Sequence, residues 1–284
     1  MTRIAVPKTY KLYIGGKFPR SESGRVYEIQ SSKGAFLANA AKASRKDARD
    51  AVVAARSALS GWSGATGYNR GQVLYRIAEL LEGRRAQFVD EIRSSEGVSA
   101  SAAEKHVDAA IDTWVWYAGW ADKYTQVAGG ANAVSGPYFN ISVPEPTGVV
   151  AIVAPQASSL LGLVSVVAPA IVSGNTVVVI ASEPAPLSAI SLSEVLATSD
   201  VPGGVINILT GSPAEIAPWL ASHADVNALD LAGAESLEWV DLQIAAAETL
   251  KRVLPPVTGV PRASLERVTF FTETKTVWHT KALL

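Results

Sequence analysis

Three histidines and no cysteine limit the chemistry that this 284-residue chain can carry. His106, His223 and His279 are far apart and form no metal-ligand spacing. Without a thiol there is no disulfide framework, no thiolate metal site and no sulfur nucleophile. Ser158 and Ser159 stand together in a loop, but no base accompanies them locally, and capping of the following helix accounts for them. Loops that cradle phosphates are missing as well. The turns at 154–159, 181–184, 210–213 and 232–235 contain neither Gly-x-Gly-x-x-Gly nor a Walker sequence. No catalytic or metal-binding residue is expected.

The elements that would position such groups alternate regularly. Apolar runs at 149–153, 176–180, 205–209 and 228–231 read as strands, and 160–172, 188–197 and 214–222 between them read as helices. That order implies right-handed βαβ units and a parallel sheet, whose ligands bind beyond the carboxyl ends of the strands. Gly174-Asn175 and Pro202-Gly203-Gly204 punctuate the strand starts. Ahead of this core, residues 11–18 (KLYIGGKF) read as a hairpin. Ser44 with Asp47 forms a capping-box-like start for an amphipathic helix, and two further helical stretches meet near Gly83. A longer helix is expected over 101–127, with Trp114, Trp116, Tyr117 and Trp120 as core packing. Residues 138–143 alternate as a strand, an edge or an arm, closed by Pro144 and Pro146. A last helix is expected over 236–253, then a breaker-rich connector at 255–261, then a strand over 268–278 with one wet face.

Composition excludes several functions. Lys and Arg total 25 against 26 Asp and Glu, without a basic run, so nucleic acid is not an expected partner. The apolar run at 160–172 is interrupted by Gly162, Ser165 and Pro169 and is too short to span a membrane. Residues 1–13 lack the apolar core of a secretory signal, so a cytoplasmic location is expected.

Four segments in this order resemble the aldehyde dehydrogenase superfamily: PEPTGVVAIVAP (144–155), APAIVSGNTVVVIASEPAPLSA (168–189), VPGGVINILTG (201–211) and FTETKTVW (271–278). The resemblance implies an NAD-binding-like domain over 1–130 and 148–254, and an oligomerisation arm over 131–147 and 262–284. It skips the catalytic domain. The expected fold is therefore α/β, a Rossmann-like parallel sheet flanked by helices, with a small β-strand oligomerisation arm.

Active members bind NAD(P) through a lysine that here matches Ile180, which cannot donate to a ribose hydroxyl. Their oxyanion asparagine matches Ala157, and such a donor is typically worth about 10²–10³ in rate. Their Gly-Ser-Thr-x-x-Gly loop matches residues 233–238, where Glu238 replaces the second glycine and Glu235 adds an acid beside a phosphate-binding helix start. The general-base segment is replaced by Val253-Leu254-Pro255-Pro256, and nothing replaces the nucleophilic cysteine. The positions still matching cofactor contacts are Ser182, Glu183, Gly211 and Gly233, so NAD is expected to bind weakly or not at all.

What the resemblance retains is assembly. In the family, the strands matching 138–143 and 268–278 pair with the catalytic-domain sheet of a neighbouring subunit, and the helix matching 236–253 packs across a dimer axis. The expectation is a catalytically inactive subunit that assembles with a full-length aldehyde dehydrogenase, or with itself, through those strands. An NAD(H) or adenine-nucleotide sensor remains an alternative, as does residual oxidation of aldehydes within a complex only.

Overall fold

The structure is a computed structural model that describes Ile4, Val6 and residues 8–281. Parts of the N-terminal stretch 1–13 and of the arm segment 262–284 lie outside the described residues.

Five parallel strands make the central sheet: β5 (Val149–Val153), β6 (Thr176–Ile180), β7 (Ile206–Leu209), β8 (Ala228–Asp230) and β9 (Arg252–Leu254), in the order β7-β6-β5-β8-β9. The first three are buried along their whole length because both faces are covered. On one face Val150, Ile152, Val177 and Val179 share a core with α2 (Gly67–Gly83), α3 (Arg85–Glu96), α4 (Ala100–Trp120), α6 (Leu161–Val172) and α7 (Leu187–Leu196). On the other, Val149, Ala151, Val153, Val178 and Ile180 meet α1 (Arg45–Gly64), α8 (Pro213–Ser222) and α9 (Trp239–Ala247). The period of two along each strand divides the apolar side chains between the two layers.

Local chemistry starts and stops these elements. Ser44 and Asp47 form the expected capping box on α1, and Asp47 also accepts the Ser21 hydroxyl at 2.8 Å and the Glu22 N–H at 2.9 Å. The opening hairpin shrinks to a two-residue turn, in which Ile14 and Lys17 exchange backbone bonds around Gly15 and Gly16, at φ +60° and +77°. Tyr13 then pairs antiparallel with Ile208 of β7. A side chain on Gly16 would press against the Gly203 backbone, so the turn is stapled to the loop before β7. A true hairpin, β1 (Val26–Gln30) with β2 (Phe36–Ala41), follows that turn and carries no signal as strong as Gly-Gly.

Four elements differ from the sequence reading. The helix expected over 101–127 breaks into α4 and α5 (Tyr124–Ala128), though Trp114 and Tyr117 are fully buried as core. The helix expected over 236–253 stops at Ala247. Leu250 adopts φ +55°, and Arg252–Leu254 lies beside β8 as the fifth strand. The strand expected from 268 begins at Thr272, because Ser264 caps a short helix, α10 (Leu265–Phe270), that buries Val268. Residues 138–143 form part of β4 (Tyr138–Pro146), an arm strand as one of the two readings had it, and not an edge. It lies between β3 (Gly130–Asn132) and β10 (Thr272–Thr280) in an antiparallel three-stranded arm. No helix among the described residues is long and apolar enough to cross a membrane.

One ion pair fastens the returning chain to the sheet. Asp230, at the end of β8, is wholly buried, and the Arg267 guanidinium of α10 donates to its Oδ2 while the Ala232 N–H donates to Oδ1 at 3.1 Å. Burial pushes the Asp230 carboxyl above its usual value, and Arg267 pulls it back. A raised folded-state value makes this group favour folding most below the ordinary carboxylate range, and the contribution is lost as pH rises through the raised value. Replacing Arg267 by Met leaves the buried carboxylate unpaired. Urea titration of Arg267→Met should show a loss of about 3–5 kcal/mol at neutral pH, shrinking toward acid pH, and Asp230→Asn in the same chain should restore most of it.

Candidate functional site

The strand order reverses between β5 and β8, so the loops leaving their carboxyl ends frame the crevice where an open α/β sheet receives ligands. Gln156 organises that crevice. Its Nε2 donates to the Ala154 carbonyl at 2.7 Å, and its Oε1 accepts the Glu183 N–H at 2.9 Å. Its carbonyl accepts the Ser182 hydroxyl at 2.7 Å. The loops after β5 and β6 are thereby locked together by one residue, through its side chain and its own carbonyl, that the sequence did not single out.

The four residues expected at a cofactor gather around this lock. Ser182 is fully buried and also accepts the Ala185 N–H at 3.3 Å, so both functions of its hydroxyl are used inside the protein. Glu183 is half-buried, and its carbonyl accepts the Tyr27 hydroxyl from β1 at 3.2 Å. Burial pushes the Tyr27 hydroxyl well above its usual range, helped by the Glu183 charge and opposed by a backbone contact with Gly211. Gly211, at φ +120°, packs on Lys42 and Ala43 where β2 leads into α1, and Lys42 is paired with Glu215 at 2.6 Å. Gly233 sits across the switch point. A Cβ there would collide with the Ala154 carbonyl, so this glycine lets two loop backbones cross.

The positions that differ from the resemblance are placed as follows. Ile180 is fully buried in the layer beneath α1 and α8. Ala157 lines a cleft of about 260 Å³ with Gln156, Ser158, Gly233, Glu235 and Gly259. The Ser158 hydroxyl accepts the Gly162 N–H at 3.2 Å, serving the first turn of α6. Ser159 is held from a distance: its N–H and hydroxyl donate to one Glu96 oxygen at 2.8 and 2.6 Å. Glu96 lies 63 residues away, so no local motif could reveal it. Ser159 is 1% exposed, which keeps its hydroxyl from any substrate in the cleft.

A second, more apolar cleft of about 350 Å³ lies between α8 and α9, walled by Ala214, Pro218, Leu237, Leu242 and Ala245. The charged groups lining the two clefts are Glu235, Glu238 and Asp241, three carboxylates without a cation. A dinucleotide brings two phosphates to such a site, and carboxylates at the start of α9 compete for the free N–H groups they need. The residues present do not fit a dinucleotide.

Residues 18–259 match the aldehyde dehydrogenase family. Retinal dehydrogenase 2 of Gallus gallus is 33% identical over 251 residues, covering 87% of this chain and 48% of that protein. D-glyceraldehyde dehydrogenase (NADP(+)) of Thermoplasma acidophilum is 30% identical over 245 residues, covering 86% and 49%. Among solved structures, HpcC from Thermus thermophilus aligns with a TM-score of 0.82 at 29% identity, over 87% of this chain and 48% of that one. The chain spans about half the length of the curated relatives it matches.

Gln156→Ala removes a partner from the Glu183 N–H and from the Ala154 carbonyl. The variant should lose about 1–3 kcal/mol in thermal or urea unfolding, with faster amide exchange confined to the loops after β5 and β6.

Proposed function

The chain belongs to the aldehyde dehydrogenase family, and from that membership we propose that it is a catalytically silent subunit that assembles with a full-length aldehyde dehydrogenase in a structural or regulatory role. The observation that carries this reading is the arm. Strands β3, β4 and β10 are complete and regular, yet β10 has no strand on its outer edge among the described residues. Between β9 and β10 lie only the connector and α10. A nine-residue edge, exposed at most positions and bearing Trp278, 58% exposed, invites a strand from another chain. The outward stripe of α9 supports the same reading, because Val240 and Ile244 stand one turn apart and are mostly exposed.

Chemistry by this chain alone has little support. The sequence holds no cysteine, Ile180 and Ala157 cannot supply the contacts that the family uses, and the general-base segment is Pro255-Pro256. Oxidation of an aldehyde by the assembly is then the partner's chemistry. The apolar slot between α8 and α9 favours a second reading, an adenine-nucleotide sensor, which the three acidic groups oppose.

Co-expression with full-length aldehyde dehydrogenases from the same source should yield a mixed complex on size exclusion, and Ile244→Glu should weaken it at least tenfold. Elution of the chain without any of them would remove the assembly reading. Calorimetric titration with NAD, NADP and their reduced forms should give no heat up to millimolar ligand; saturable binding in the micromolar range would favour the sensor.

A further inference from the structure

Where β8 and β9 begin, opposite the crevice, basic groups outnumber acids. Lys251 precedes β9 and is 8% exposed, and the only bond its Nζ makes among the described residues is to the Thr249 hydroxyl. Arg252 stands opposite Ala228, so one step back along the parallel ladder Lys251 falls beside Asn227, at a strand spacing of about 4.8 Å. Asn227 is itself held by a cation: the Arg56 Nη2 of α1 donates to its Oδ1 at 2.7 Å. Arg56 Nε is buried and has no hydrogen-bond partner among the described residues. The Asp225 carboxylate lies 3.7 Å from it and is mostly exposed.

His223, the residue that caps the end of α8, closes the group. Its Nδ1 accepts the Asp225 N–H at 3.1 Å, so the neutral ring keeps its proton on Nε2. Burial holds the imidazole below its usual value; Asp225 opposes this, and the charges of Lys251 and Arg56 reinforce it. Three basic groups therefore act on one another here, with more donors than acceptors. An ammonium taken out of water beside other cations is unfavourable, and burial pushes Lys251 below the ordinary lysine range. The neutral amine that results is a nucleophile.

We propose that Lys251 is a modification site that takes up carbon dioxide as a carbamate. The amine lone pair attacks the carbon, an N–C bond forms, one C=O electron pair moves onto oxygen, and the nitrogen releases one proton to water. No oxidant or further reactant enters. The product is an anion with two acceptor oxygens, which answers both the surplus of cations and the unused donors on Arg56 and His223. An imine formed from an uncharged aldehyde would bring neither an anion nor an acceptor. Carbon dioxide is also small, as access to so enclosed an amine requires. This inference goes beyond the assembly reading and does not depend on it.

NMR of the ¹⁵N-labelled chain under ¹³C-labelled carbon dioxide reads the new bond itself. The wild-type chain should give a carbamate carbon signal split by the Lys251 nitrogen, and Lys251→Arg, which keeps the cation but has no amine to react, should lose it. Arg56→Gln should lower the occupancy at fixed carbon dioxide pressure about tenfold, and Arg56→Lys should keep most of it. Lys251→Arg preserves the charge of the site, so it tests the proposal even where Arg56→Gln lowers stability. Absence of a nitrogen-split signal, a split signal that survives unchanged in Lys251→Arg, an unsplit signal from bound bicarbonate in its place, or undiminished occupancy in Arg56→Gln would each overturn the proposal.

Discussion

A carboxylate sealed inside a protein needs a cation, and Asp230 receives one from α10, beyond the connector. That requirement organises the second half of the molecule. With Arg267 committed to the end of β8, α10 must lie across the core, Phe271 is buried behind it, and β10 departs from a fixed point to meet β4. Arg252 of β9 reinforces the path by gripping Glu273 through two bonds of 2.7 Å. The arm therefore stands on the sheet through charge as well as packing.

The crevice at the switch point is held by neutral contacts within the chain. A side-chain amide joins two loops, a buried hydroxyl closes one of them, and a glycine permits two backbones to cross. The first two satisfy polar groups within the protein, the third is clearance alone, and none places a cation at the cleft. Gly211 and Gly233 here provide backbone clearance. Their presence alone is no sign that phosphate is bound.

Much of this was legible in the sequence. Continuous β-branched runs with intervening helices can bury themselves only as a parallel sheet between two helical layers, and the capping box at Ser44 and Asp47 announced α1 by its own chemistry. What escaped was set by long-range partners or by single backbone angles. Arg252–Leu254 reads as the end of a helix until Leu250 turns left-handed and β8 offers a ladder. Val268 has the composition of a strand, but Ser264 caps a helix that the core accepts. At the crevice, the expectations for Ile180 and Ala157 rest on resemblance and on no local pattern. Gln156, Tyr27 and Glu96 act through neighbours 27, 156 and 63 residues away, beyond any local pattern.

The staple between Gly16 and Gly203 has a consequence for how the chain is made. Tyr13 finds its ladder partner on β7, and the Gly15 N–H donates to the Asn207 side chain 192 residues further on. At ordinary synthesis rates that partner leaves the ribosome about 10–40 s after the turn does. During that interval the N-terminal turn has no surface to dock on, although β1, β2 and α1 behind it can already form. The turn at Gly15 and Gly16 is thus made well before β7 and fastened only after it, and closing it over β7 covers that edge of the sheet.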